Sequence, residues 1–234
     1  MEITPLGDCA LIVRASGNSG PDETLREVLE RWSRLEAAKI PGVIELAPAY
    51  TIVAVFFDPI VAVEAGAPPD KIFDWLGEKI RSALKARSRR TRSTSPREIE
   101  IPVCYDGEFA LDIEDVAQAA KLSADEIAHR HAIAPYRVNC VGFTPGFPFL
   151  SGLPSELATP RRATPRTKIP AGSVAIGGAQ TGIYPFESPG GWNVIGRTPL
   201  QLFDPNRETP ALLRAGDRVR FRAITREQFE KEKE

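Results

Sequence analysis

The sequence has no long apolar run and no excess of charge of either sign. No stretch approaches the roughly 20 apolar residues needed to span a bilayer, and Glu2 and Asp8 stand where a secretory signal would carry basic residues. The formal net charge of −1 over 234 residues and the pI of about 6.2 disfavour nucleic acid or an anionic membrane as the main partner. We therefore expect a cytoplasmic protein with neither a nucleic-acid nor a membrane partner.

Cysteine and histidine are also scarce. The three cysteines, Cys9, Cys104 and Cys140, lie far apart with no C-x-x-C spacing, which disfavours a disulfide framework and a structural zinc site. Each is flanked by apolar residues, so we expect all three to be buried and expect no metal site. The two histidines, His129 and His131, fall near the end of a predicted helix. A structural role and a general acid/base role for His131 both stay open.

The pattern along the chain divides into two domains and two polar segments. Residues 1–85 read as an α+β domain, and residues 98–224 as a mainly β domain. Residues 86–97 form a basic polar linker, and residues 225–234 a charged C-terminal tail. The linker has no aromatic residue for base stacking, which favours a solvated connection over an RNA- or membrane-binding patch.

The first domain is predicted to be ferredoxin-like. Apolar residues at three- and four-residue spacing indicate two helices, one beginning near Glu23 with Asp22 as its cap and one beginning at Asp70. Short apolar runs predict strands at residues 9–14, 43–46 and 51–57. The order strand, helix, strand, strand, helix resembles a split βαβ arrangement.

The second domain begins with an alternating strand at residues 98–105 and continues with helices at about 112–121 and 123–132. The second helix starts with a capping box, because Ser123 is followed by Glu126 three residues later. From residue 136 onward, short apolar pieces alternate with turn residues. This pattern predicts an irregular β-barrel or sandwich.

Glycine and proline are concentrated between residues 142 and 199. This segment holds ten of the 18 glycines and nine of the 21 prolines, mixed with large apolar and arginine side chains. Proline restricts the backbone and glycine permits close approach, so the mixture favours loops held in one conformation. Such loops serve binding sites, although tight turns of a complicated barrel would have the same composition.

The same segment carries an excess of three positive charges. Its basic residues are Arg161, Arg162, Arg166, Lys168 and Arg197, against two glutamates. Arginine offers a planar fork of donors that suits a carboxylate or a phosphate, although we expect at least one of these arginines to pair with a structural carboxylate. Backbone N–H groups at 171–173 and 188–191 are weak candidates for anion donors. Because no P-loop pattern is present, nucleotide binding by this chain alone is not expected.

An ordered set of short motifs identifies a family. The motifs are His131, 136–138 (YRV), 142–148 (GFTPGFP), 160–161 (PR), 164–166 (TPR), 170–176 (PAGSVAI), 184–185 (YP), 188–192 (SPGGW), 195–199 (IGRTP) and 216–219 (GDRV). Together they resemble the family of the 5-oxoprolinase B subunit, also described as allophanate hydrolase subunit 1 or the carboxyltransferase C-type domain. The resemblance covers essentially the whole chain and is densest from 98 to 221.

The resemblance implies a cyclophilin-like barrel after an α+β domain, and it implies partner subunits. Members of this type act with a C-type and an A-type subunit and cleave 5-oxoproline to glutamate at the expense of ATP. ATP with Mg is expected at the level of the complex, with no cofactor bound by this chain alone. The alternatives are an interaction protein that inhibits a sensor histidine kinase, and an allophanate hydrolase or carboxyltransferase-related subunit.

With the family in view, a set of site residues is predicted. Arg166 and Arg161 would supply positive charge beside a developing phosphate, the Gly172 and Ser173 backbone would supply donors, and His131 would move a proton. His131 and Arg166 are thus the catalytic candidates. The substrate-binding candidates are Phe143, Thr144, Gly146, Arg161, Gly172, Ser173, Tyr184, Gly190, Gly191, Trp192 and Arg197.

Overall fold

The computed structural model describes residues 1–16, 20–86 and 96–233. The chain forms two compact units, Met1–Ser95 and Pro96–Glu234. The predicted basic linker at 86–97 lies mostly outside the described residues, and the other predicted domain bounds stay predictions.

The first unit consists of a four-stranded antiparallel sheet and three helices. In chain order its elements are β1 (Glu2–Pro5), β2 (Ala10–Arg14), α1 (Pro21–Ala38), β3 (Val43–Ala49), β4 (Ile52–Phe57), α2 (Pro59–Glu64) and α3 (Ile72–Lys85). The sheet order is β1-β2-β4-β3, so β4 lies between the two strands that α1 connects. Apolar side chains of α1 and α3 pack on the sheet to form one core, as the helical spacing predicted. The ferredoxin-like assignment itself stays a prediction.

The helix starts in this unit differ from the sequence expectation. The first turn of α1 begins at Pro21, and Asp22 lies inside that turn instead of at the cap. This is favourable because proline at the first helical position lacks only an N–H that would have no partner. The helix α3 begins at Ile72, beyond Asp70. The short helix α2 was not expected, and it is capped by the side chain of Asp58.

The second unit is a closed mixed barrel with helices and a small extra sheet. In chain order its elements are β5 (Glu98–Cys104), α4 (Ile113–Ala120), α5 (Ala124–Ile133), β6 (Tyr136–Val141), β7 (Pro148–Ser151), β8 (Arg166–Ile169), β9 (Ser173–Gly177), β10 (Gln180–Ile183), β11 (Ser188–Gly190), β12 (Asn193–Arg197), β13 (Arg218–Ile224) and α6 (Arg226–Glu232). The barrel order is β10-β7-β6-β13-β5-β12-β9, and β11 pairs with β8 outside it. The predicted barrel is therefore confirmed, while its cyclophilin-like character stays a prediction.

The barrel closes through one parallel pair of strands. β13 runs parallel to β5 from Arg218 opposite Glu98 to Ile224 opposite Cys104, whereas the other described barrel pairs are antiparallel. Buried aliphatic and aromatic side chains fill the interior together with the apolar faces of α4 and α5. The predicted capping box is confirmed at the start of α5, where the Glu126 N–H donates to Ser123 Oγ at 3.2 Å.

Two of the three cysteines are buried as expected. Cys104 and Cys140 lie in β5 and β6. The prediction for Cys9 is wrong, because its side chain is exposed. Cys9 lies in the bend before β2, and the buried positions of that strand begin one residue later, at Ala10.

Candidate functional site

A strained turn with an exposed phenylalanine joins β6 and β7. The Gly142 N–H donates to the Phe147 carbonyl at 3.0 Å, and the Phe147 N–H donates to the Thr144 carbonyl at 3.1 Å. Phe143 has a φ of 70°, and 69% of its surface is exposed. A bulky residue in this backbone region costs free energy and is characteristic of functional sites. Gly146, at a φ of 83° in the same turn, adopts such an angle without that cost.

Behind this turn, three aromatic rings form a cluster in which glycines make room. The Phe147 ring meets Tyr184 edge-on at 5.1 Å and Trp192 edge-on at 5.6 Å between centroids. A Cβ on Gly177 would lie 2.5 Å from the Trp192 ring, and a Cβ on Gly190 would overlap the Tyr184 hydroxyl. The glycine content of the segment therefore reflects close packing of rings on backbone.

A buried carboxylate ties the arginine-rich loop to the barrel. The side chain of Asp112 is 0% exposed. One of its oxygens accepts from the Arg162 guanidinium, and the other accepts from Arg166 at 2.6 Å and from the Val194 N–H at 2.8 Å. The expectation that at least one arginine pairs with a structural carboxylate is confirmed for both. Arg166 is thus already engaged by a protein carboxylate.

Arg161 differs from its two neighbours. Its guanidinium carbon lies 5.7 Å from the centroid of the Trp192 ring, over the ring. Within the described residues, no carboxylate forms an ion pair with it. Burial raises the pKa of Tyr184, while the Trp192 backbone N–H and the Arg161 charge act in the opposite direction. A guanidinium without a carboxylate partner therefore lies over the Trp192 ring, and the buried, protonated phenol of Tyr184 accepts from the Trp192 backbone N–H.

The N–H groups of Gly172 and Ser173, between β8 and β9, already donate to backbone carbonyls. The Gly172 N–H donates to the Tyr184 carbonyl at 2.7 Å, and the Ser173 N–H donates to the Pro170 carbonyl at 3.3 Å. The Arg197 side chain donates to a backbone carbonyl of the same loop at 2.8 Å. The roles predicted for Gly172 and Ser173 as anion donors stay predictions, and this geometry does not favour them.

His131 lies in the barrel interior. It is 0% exposed and stacks on Phe221 at 4.6 Å between centroids. The Thr181 hydroxyl donates to the Ala175 carbonyl, so it accepts from His131 Nε2 at 3.0 Å, and His131 Nδ1 accepts from the Tyr105 hydroxyl at 2.8 Å. Burial lowers the pKa of His131 to about 3. This neutral, enclosed imidazole has the surroundings of a structural residue, and its predicted catalytic role stays a prediction.

Similarity to known proteins identifies the family. The profile of the family described as carboxyltransferase domain, subdomain C and D, matches residues 1–213. The chain is 40% identical to the 5-oxoprolinase B subunit of Bacillus subtilis (strain 168) over 235 residues, which cover 100% of this chain and 97% of that one. The chain belongs to this carboxyltransferase family.

Two further proteins are similar to this chain. The chain is 58% identical to the 5-oxoprolinase B subunit of Haemophilus influenzae (strain ATCC 51907 / DSM 11121 / KW20 / Rd) over 125 residues, which cover 53% of this chain and 59% of that one. The crystal structure of TTHA0988 matches with a TM-score of 0.74 and 38% identity. That match covers 92% of this chain but 39% of the TTHA0988 chain, so this chain spans about two fifths of it.

The structure brings some of the predicted site residues together and separates others. Arg161 lies over the Trp192 ring and Tyr184 packs in the same aromatic cluster, while His131 lies away from solvent inside the barrel. The roles predicted for these residues stay predictions. Asp112 was missed, because an aspartate before a helix has the sequence signature of a cap. Its partner Arg162 lies 50 residues further along the chain, and no local pattern links the two.

Two negative findings concern the described residues of this family member. None of its helices is long and apolar enough to cross a membrane over residues 1–16, 20–86 and 96–233. Over the same ranges, no cluster of three or more histidine, cysteine, aspartate or glutamate side chains is arranged to hold a metal ion.

Proposed function

We propose that this chain is the B-type subunit of an ATP-dependent 5-oxoprolinase, which cleaves 5-oxoproline to glutamate together with an A-type and a C-type subunit. The observation that carries the proposal is the 40% identity to a 5-oxoprolinase B subunit over the full length of this chain. The family match over residues 1–213 supports the coarser assignment to a carboxyltransferase-related subunit.

The chemistry of the reaction suits a site of this kind. A lactam amide is unreactive, and phosphorylation of its oxygen by ATP would release ADP and leave an electrophilic carbon for water to attack. The C–N bond would then break with a proton passing to nitrogen, which gives the acyl phosphate of glutamate, and a second water would hydrolyse this to glutamate and phosphate. The protein must hold the substrate carboxylate and place donors and cations beside the developing charge. Arg161 offers one exposed cation for that purpose and lies over the Trp192 ring, whereas Tyr184 and Trp192 are themselves buried and would support the site from beneath.

The site would be completed by other subunits. Phe143 presents an apolar ring to solvent on a strained turn beside the aromatic cluster, and exposed aromatic side chains are enriched at protein interfaces. TTHA0988 supports the idea, because the matched part makes up 39% of its chain and more polypeptide is joined to it there. ATP with Mg is assigned to the assembled complex.

Reconstitution tests the proposal. This chain is co-expressed and co-purified with A-type and C-type subunits from the same genome, and glutamate release from 5-oxoproline is measured with and without ATP. We expect ATP-dependent turnover that is lost when this chain is omitted. An assembled complex without turnover would contradict the proposal. If the purified chain instead blocks autophosphorylation of a sensor histidine kinase, the alternative interaction role is supported.

A further inference from the structure

Resting on the proposed function, we propose that Arg161 binds the carboxylate of the substrate and that Asp112 is the residue that positions Arg161. Three arginines that are equivalent in the sequence thereby have different roles. Arg161 makes the ligand contact, whereas Arg162 and Arg166 are structural.

The three arginines differ in whether a protein carboxylate pairs with their charge. Asp112 holds Arg162 and Arg166 at the same time, and the carboxylate is completely buried beneath them. The exposed Asp115 lies a further 3.4 Å from Arg162. Both of these guanidinium groups thus have protein carboxylates as partners. In the described part of the chain the Arg161 charge has none.

The backbone is fixed on both sides of Arg161. On one side, the carbonyl of Pro160 accepts from Asn193 Nδ2 at 2.8 Å. On the other side, the N–H of Arg162 donates to the Gly191 carbonyl at 2.8 Å. Residues 160–162 are therefore fixed beside residues 191–193, which places the Arg161 side chain over the Trp192 ring.

Asp112 supports that placement through two hydrogen bonds. It accepts from the Val194 N–H and from the side chain of Arg162. It thereby joins the strand that follows Trp192 to the residue that follows Arg161. If the carboxylate is removed, Arg166 loses its partner, Arg162 keeps only the exposed Asp115, and the loop keeps only the bonds of Pro160 and Arg162 to residues 191–193. Arg161 would then be held over the ring less firmly.

The geometry also fits a carboxylate as the ligand. A guanidinium that lies over an aromatic face keeps its N–H groups directed outward in its own plane, where they can bind both oxygens of a carboxylate. Arg161 is exposed, so a carboxylate in solvent can reach it, whereas Tyr184 is buried and would not contact the ligand directly. The substrate of the proposed reaction carries one carboxylate.

A direct binding experiment tests the proposal without ATP or partner subunits. The chain has three tryptophans, so its indole N–H signals are followed by NMR, and Trp192 is assigned with the variant Trp192→Phe. We expect titration with 5-oxoproline or acetate to shift the Trp192 signal. Arg161→Gln should weaken the apparent affinity by about tenfold or more, since a hydrogen bond to a charged group is lost. The control Lys168→Gln removes an exposed charge from the same segment and should leave the affinity unchanged.

The role of Asp112 is tested by comparing the effect of Asp112→Asn on carboxylate affinity with and without the Arg161 side chain. Asp112→Asn should weaken carboxylate binding in the wild-type background but add nothing in the Arg161→Gln background, because both changes remove the same contact. A purely structural effect would weaken both backgrounds equally. If Asp112→Asn does not fold, Arg162→Gln removes one arm of the same attachment and should give the same pattern. An unchanged affinity in Arg161→Gln, or a response to phosphate but not to either carboxylate, would overturn the proposal.

The Arg161 site and the proposed function can fail separately. In the reconstituted complex, Arg161→Gln should raise KM for 5-oxoproline by about tenfold while kcat changes less. An active complex with unchanged KM in this variant would refute the role of Arg161 and leave the function standing. Carboxylate binding by the chain together with an inactive complex would refute the function and leave the Arg161 site standing.

Discussion

Asp112 and Val194 hydrogen-bond to each other twice. The Asp112 N–H donates to the Val194 carbonyl at 2.8 Å, and the Val194 N–H donates to an Asp112 carboxylate oxygen at 2.8 Å. Asp112 immediately precedes helix α4, and both its backbone and its side chain thus bond to barrel strand β12. The same carboxylate holds Arg162 and Arg166, so it connects a helix, a strand and the arginine-rich loop.

Loss of this carboxylate should destabilise the second unit strongly. Asp112→Asn leaves the partly buried Arg166 without its counter-charge and Arg162 with only the exposed Asp115, and we expect the free energy of unfolding to fall by about 3 kcal/mol. Urea unfolding followed by circular dichroism measures the change. The control Asp115→Asn removes a carboxylate that is 67% exposed and should stay within about 0.5 kcal/mol of wild type. Equal effects of the two changes would contradict this account.

His131 should make the protein less stable in acid. Its folded-state pKa of about 3 lies below its ordinary value of 6.5, so between these values the unfolded chain binds more protons. Its contribution to stability is therefore fully present above pH 6.5 and is lost as the pH falls toward 3, by up to about 1.4 kcal/mol per pH unit. Tyr105 and Tyr136, which lie against the imidazole, have raised pKa values and stay neutral over this range.

The contribution of His131 is measured as a difference between variants. Unfolding in urea at pH values from 4.5 to 7.5 should show a shallower slope of stability against pH for His131→Gln than for wild type. His129→Gln changes a histidine on the same helix that is not buried and should keep the wild-type slope. A His131→Gln variant with the wild-type slope would show that the imidazole is not held neutral by burial.

Gly177 should tolerate no side chain. In Gly177→Ala the new methyl group would lie 2.5 Å from the Trp192 ring, and we expect a loss of about 1–3 kcal/mol because the packed ring must move. Gly142→Ala serves as the control, since a Cβ there meets nothing within 4 Å. Thermal unfolding and the Trp192 indole signal measure the two effects. A wild-type indole signal in Gly177→Ala would mean that the ring is not packed on this glycine.

Thiol labelling should distinguish Cys9 from the other cysteines. Cys9 is exposed, whereas Cys104 and Cys140 are buried, and burial also raises the pKa of Cys104. A thiol reagent should therefore modify one cysteine quickly in the native protein and three in denaturant. Cys9→Ser should abolish the fast reaction. If two or three thiols react quickly in the native state, one of the burial assignments is wrong.

The sequence patterns that predicted the fold well are those set by local physics. The alternating strand predicted at 98–105 forms as β5 over Glu98–Cys104, and the capping box of Ser123 and Glu126 marks the start of α5. These signals are local, because alternation reflects one buried face and a cap is satisfied within one turn.

The patterns that failed depend on contacts between distant residues. The strands β7, β8, β10 and β11 have three or four residues each and lie in the segment rich in glycine and proline, where the sequence favoured fixed loops over tight turns of a barrel. Their pairing comes from neighbouring strands and not from their own propensity. The candidate site was also predictable only where local motifs carried the signal. The motifs named both Arg161 and Trp192, which lie together. The burial of His131 and the pairing of Arg166 with Asp112 could not be predicted, because they depend on the closed barrel.

The parallel pairing of β13 with β5 also determines when the barrel can form. The two strands are about 120 residues apart in sequence, and β13 lies beyond residues 1–213 that the family profile matches. During synthesis β5 and β6 emerge early, yet the strand that pairs with both is made well after them. Until then their edges are open to other chains. A nascent chain stalled before residue 218 would therefore be prone to aggregation and dependent on chaperones, however stable the finished barrel is.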